Sequence, residues 1–162
     1  MNLIKWNELY KSNQRLDEIF IDKYQSDTRL FDKNCVELMV EIGEFVNETK
    51  IFKYWTTKKA DLKKVLEEYA DVITITLTFF REFNLNIKES YPEIEGKDIL
   101  ILIMKLYQKA YDFFEKHDKK LIEEVFYYTL YIGKILEFKE KDILDAIENK
   151  QKIIEKRLNS DY

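Results

Sequence analysis

The sequence predicts an all-α fold, a helical bundle of five or six main helices. Only 3 Gly and 1 Pro punctuate 162 residues, which favours long helices over many short strands. Apolar side chains recur at helical spacing in most segments, as at Leu62, Leu66, Tyr69 and Ile73. The connections between these segments are short. No linker or low-complexity stretch divides the chain, so residues 1–162 read as one domain.

The first helix is expected over residues 3–24, with Leu9, Leu16, Ile19 and Phe20 on one face and the polar stretch 25–27 ending it. The second spans 32–49 and the third 59–83, with a short aromatic stretch, 50–57, between them. Residues 84–96 hold Pro92 and Gly96 and read as a loop. Helices over 97–116, 121–136 and 142–159 follow, and a break near His117 makes the count six.

Charge and composition exclude several classes of function. The net charge is −4, from 27 basic and 31 acidic residues, and no basic stripe of the kind nucleic-acid binders carry is present. No nucleic-acid partner is therefore expected. Cys35 is the only cysteine, so no intrachain disulfide forms and a reducing cytoplasmic location is expected. The N-terminus breaks its apolar run with charge at once, unlike a secretory signal. The longest apolar runs, 99–104 and 72–80, fall short of the ~20 residues a membrane span needs, so no membrane partner is expected. His117, the only histidine, sits in a polar run and reads as a turn residue. Catalytic triads and most zinc sites would have to rest on it alone.

The informative segment carries Glu37, Glu41, Glu44 and Glu48. At about 100° per residue these fall within about 60° of one another on a single helix face. The rest of that circumference is nearly all apolar (Val36, Leu38, Met39, Val40, Ile42, Phe45, Val46), which predicts a largely buried helix. Like charges at i,i+4 repel, and no lysine interleaves with them. Glu68 and Asp71 repeat the arrangement at the mouth of a second apolar helix that carries no charge until Arg81. Unpaired buried carboxylates are costly. With no basic residue in either stretch, a divalent cation is the natural counter-charge, and an all-oxygen donor set favours Mg²⁺, with Mn²⁺ as a possible substitute, over zinc. The competing reading is two ordinary solvated faces.

These residues resemble the all-α nucleoside-triphosphate pyrophosphatases, the superfamily of the MazG-like enzymes, and within it the dimeric dUTPases. Glu41-x-x-Glu44 and Glu68-x-x-Asp71 carry the broader likeness. The run Glu41-Ile-Gly-Glu44-Phe-Val-Asn47-Glu48, then Phe52-Lys53-Tyr54-Trp55, then Leu66-Glu67-Glu68-Tyr69-Ala-Asp71 is similar to the narrower signature. Gln14-x-Leu16-Asp17 resembles an N-terminal base-contacting motif, and Lys150, Arg157 and Tyr162 fall at the spacing of the family's C-terminal ending. The likeness is dense over about residues 14–80. It departs at Ile154, where Asn is usual, at Asp161, where Gly is usual, and at Thr74, where His is frequent.

The resemblance implies Mg²⁺-dependent hydrolysis of dUTP to dUMP and pyrophosphate by a homodimer. Glu41, Glu44, Glu68 and Asp71 would hold the metal, Glu41 would also serve catalysis, and Glu48 is either an outer ligand or a solvated residue. Lys53, Lys150 and Arg157 would meet phosphate, although Lys150 and Arg157 also suit a plain charged surface. Gln14, which can donate and accept at once, and Asp17 would meet the base. Trp55 offers either a flat face for the base or a core tryptophan, and Phe52 and Tyr54 read as packing residues. Phe126, Tyr127, Tyr128 and Tyr131 suit an interface or a core equally. Two alternatives stay open: a broader MazG-like pyrophosphatase, and a degenerate member acting as a binding protein.

Overall fold

The computed structural model describes residues 1–24, 28–89 and 94–159. Within them the chain forms six α-helices and no strand: α1 (Leu3–Tyr24), α2 (Leu30–Thr49), α3 (Leu62–Glu82), α4 (Ile99–Lys116), α5 (Lys119–Ile135) and α6 (Glu140–Asn159). Aspartates set three of the starts. Asp61 accepts a hydrogen bond from the Lys63 amide, Asp98 from Leu100 and Ile101, and Asp118 from Lys120. These caps place α3 and α4 two to three residues later than the hydrophobic pattern predicts, and α5 two residues earlier. His117 breaks the chain between α4 and α5: it takes a left-handed φ of 50° and its amide donates to the Phe113 carbonyl. The bundle therefore has six helices.

α3 is the axis of the bundle. Helices α1, α2, α5 and α6 all pack against it, while α4 sits against α2 and α5. Its own sequence explains this, because Val65, Tyr69, Val72, Ile73, Leu77, Phe79 and Phe80 are all buried. Fully buried rings from α1, α3, α4 and α5 build the core, with Trp6 and Phe80 each set against Phe126 and Phe79 against Phe113. Phe126 and Tyr127 belong to this core.

Some expected faces are not covered. Ile19 and Phe20 of α1 are exposed, as are Val36 (63%) and Val40 of α2. The second helix is thus buried on one side only, because α3 and α4 cover only part of its circumference. Leu62 is exposed too, since it opens α3 outside the packed region. The aromatic stretch before α3 also lies on the surface, with Phe52 exposed, Tyr54 94% exposed and Trp55 63% exposed. Trp55 is therefore no core residue of this chain, and Phe52 and Tyr54 pack chiefly on it. The residues around Pro92, the polar stop at 25–27, Asp161 and Tyr162 lie outside the described residues.

Candidate active site

Helices α1, α2, α3 and α6 enclose a cavity of about 650 Å³. Two stripes meet at one end of it. Glu41 and Glu44 of α2 and Glu68 of α3 each bring a carboxylate oxygen within 4.8 Å of the others. Glu37, one turn before Glu41, lines the cavity, and Glu48 is half-buried beyond Glu44. Asp71, 8% exposed, stands one turn after Glu68 and lines the same cavity.

The electrostatics follow from this crowding. Burial, then repulsion from Asp71 and Glu44, pushes the Glu41 carboxyl up to about 7. Glu68 and Glu37 are raised for the same first reason, and Asp71 repels both. Asp71 is itself raised by burial, although Lys150 opposes the shift. The Lys150 ammonium donates to Asp71 Oδ2 at 2.5 Å. Thus one counter-charge comes from within the chain, across 79 residues, where the local sequence shows none. It does not neutralise the cluster: Glu41 Oε2 and Asp71 Oδ1 are buried with no hydrogen-bond partner among the described residues. The convergent carboxylates of Glu41, Glu44 and Glu68, with orphaned oxygens on Glu41 and Asp71, are a hard, all-oxygen donor set, which fits a divalent cation such as magnesium.

The other end of the cavity is polar but not acidic overall. Asp71, Thr74, Thr78 and Arg81 repeat at steps of three, four and three, which lines them along one face of α3. Asn13 and Asp17 of α1 meet them. Asp17 accepts hydrogen bonds from the Thr78 hydroxyl (3.0 Å), the Asn13 amide (3.2 Å) and Arg81 Nε (3.3 Å). Burial outweighs these partners and pushes the Asp17 carboxyl up to about 6. Leu16, Phe20, Ile75, Ile154 and Leu158 form the apolar walls between the two ends.

The ten residues singled out from sequence divide into two groups. Glu41, Asp71, Asp17, Lys150 and Arg157 line the cavity, with Glu44 and Glu68 joined to Glu41. Gln14 does not line it. Lys53 and Trp55 are also outside it, with the Lys53 ammonium over the Phe52 ring at 5.6 Å. Sequence reasoning missed Asn13, Thr78 and Arg81. Their signal was present: Asn13 and Asp17 are four apart, and the threonines continue the Glu68–Asp71 face down to Arg81.

No curated protein matches the chain significantly. The family model of the dUTPases matches residues 5–162, nearly the whole length, and takes in every helix that lines the cavity. The chain belongs to the dUTPase family and is a nucleotide pyrophosphatase that hydrolyses dUTP.

Proposed function

We propose that dUTP hydrolysis runs in the α1–α2–α3–α6 cavity, with Mg²⁺ held by Glu41, Glu44, Glu68 and Asp71 and the base lodged toward α1. The observation that carries this reading is the pair of orphaned buried oxygens on Glu41 and Asp71 beside the three-carboxylate cluster. A bound ion there supplies charge neutralisation for the phosphates and acidifies coordinated water. Lys150 and Arg157 hold phosphate oxygens from the opposite wall. A Glu41 oxygen not engaged with the ion would accept the proton of the attacking water. The water oxygen joins phosphorus as the bridging α–β bond breaks, pyrophosphate leaves, and the proton passes on to solvent. Ile75, Ile154 and Leu158 keep bulk water from the sugar and base.

The same reading takes residues 1–162 as a single domain, cytoplasmic, and active as a homodimer. No helix among the described residues is long and apolar enough to cross a membrane. The resemblance to dimeric enzymes supports pairing, and so do the exposed Val36 and Val40 on α2 and Leu100, Ile101 and Met104 on the adjacent α4. Lys53 and Trp55, remote from the cavity of their own chain, belong to a surface that pairing would cover.

The test is a product assay with dUTP, dCTP, dTTP and UTP, with Mg²⁺, with Mn²⁺ and with chelator. dUMP and pyrophosphate formed from dUTP only when metal is present support the assignment. Hydrolysis of all four nucleotides would instead mark a broad-specificity pyrophosphatase, with Ile154 in the cavity wall as the first suspect. No turnover of any of them would leave a binding role.

A further inference from the structure

We infer that Asn13 and Arg81 are the side chains that read the pyrimidine edge, and that Asp17 is the positioning residue that fixes both of them. This deepens the proposed function and rests on a deoxyuridine nucleotide occupying the cavity. Arg81 lies ten residues after Asp71 on the same face of α3, so the two ends of the cavity are about 15 Å apart along that helix.

Asn13 is 1% exposed and lines the cavity. Its Nδ2 donates to Asp17 Oδ2 at 3.2 Å, to Thr78 Oγ1 at 3.4 Å and to the Thr74 carbonyl at 3.5 Å. An ionised carboxylate and a carbonyl only accept, so the amide cannot be turned the other way. Its Oδ1 therefore remains, with no donor among the described residues, as an acceptor. Arg81 spends Nε on Asp17, and its two terminal amino groups have no acceptor among the described residues. Asp17 also neutralises the guanidinium, so this end does not compete for phosphate with Lys150 and Arg157.

Asn13 Nδ2 and Arg81 Nε converge on the same Asp17 oxygen, so this end of the cavity holds an amide with an acceptor to offer and a guanidinium with donors to offer. Uracil presents N3–H between two carbonyl oxygens, so Asn13 Oδ1 receives N3–H while Arg81 donates to a neighbouring carbonyl. Cytosine presents an unprotonated N3 at that point, which sets acceptor against acceptor. Gln14 does not make this choice, because it does not line the cavity.

The experiment measures kcat and KM for dUTP and dCTP with Mg²⁺ on the wild type, Asp17→Asn and Arg81→Lys, with thermal melts as the folding check. Asp17→Asn frees the Asn13 amide to flip, and the dUTP-over-dCTP ratio of kcat/KM falls about tenfold or more. Arg81→Lys raises KM for dUTP about tenfold, with kcat changed much less. Calorimetric binding of dUMP and dCMP to the wild type and Arg81→Lys reads the same selectivity without turnover. Should dUTP hydrolysis itself fail, or Asp17→Asn not fold, that binding ratio still decides. The inference is overturned by a wild type that binds dCMP as tightly as dUMP, by variants that fold yet keep the wild-type selectivity, or by selectivity that falls in Gln14→Ala and not in Asp17→Asn.

Discussion

Glu41, Glu44 and Glu68 repel one another, and each is held there by a helix that buries another face in the core. Removing one charge should therefore stabilise the metal-free protein while it disables the enzyme. Glu68→Gln is expected to raise the chelator-treated melting temperature by about 2–4 °C, the shift ~1 kcal/mol gives in a chain of this size. The same variant should lose at least about 100-fold in dUTP turnover, and Mg²⁺ should no longer raise its melting temperature. Differential scanning fluorimetry with and without Mg²⁺ checks both arms.

Asp17 makes a second prediction of definite sign. Burial holds its folded-state pKa at about 6, above the ordinary aspartate value of 3.8, so between the two the folded chain keeps a proton that the unfolded chain has already released. Stability from this group is full below about pH 4, declines as pH rises to about 6, and is flat above. The decline is on the order of 2–3 kcal/mol for Asp17 alone. The raised carboxyls of Glu37, Glu41, Glu68 and Asp71 act in the same direction. Urea denaturation of the chelated protein from pH 4.5 to 8 should show the loss, and Asp17→Asn should flatten part of it.

Among the elements, the contact of α3 with α5 is the tightest constraint. Tyr69 of α3 donates its hydroxyl to the Thr129 carbonyl at 3.0 Å, and the space it occupies exists because residue 133 has no side chain. A Cβ at Gly133 would stand 2.5 Å from that hydroxyl oxygen. Gly133→Ala is therefore expected to destabilise the protein by roughly 1–3 kcal/mol, read in chemical denaturation. Asp98→Ala, which removes the acceptor for two amides at the start of α4, should cost about 1 kcal/mol.

Helix existence was legible from periodicity, and the six segments stand where the sequence puts them to within three residues. Their exact starts were not, because a cap is one aspartate and the hydrophobic pattern runs through it. The convergence of Glu41, Glu44 and Glu68 was equally legible, since they lie on two helices at local spacing. Lys150 reaching Asp71 and Arg81 reaching Asp17 were not, because each pairing joins residues more than sixty positions apart. Gln14 shows how fine the placement is: on α1 a shift of one residue is a rotation of about 100°, enough to put Asn13 rather than Gln14 at the cavity wall.

At the scale of the whole molecule, the cavity is walled by the first helix and the last, both packed on α3. Fold and site are in this sense one object, and the dimer expected from the resemblance would add its surface elsewhere, on α2 and α4. Met104→Glu, at a strongly exposed apolar position, should shift the protein from dimer to monomer by light scattering at micromolar concentration without unfolding the chain.

The Lys150–Asp71 pair sets a rhythm for the enzyme's working cycle. With its own ammonium already seated on the most buried carboxylate, the chain carries a resident stand-in for part of the cation's charge. A cation held by Glu41, Glu44, Glu68 and Asp71 would therefore meet an Asp71 that already has a partner. Phosphates entering the proposed site would compete with Asp71 for the same ammonium, so a single side chain would serve the resting site and the bound nucleotide in turn.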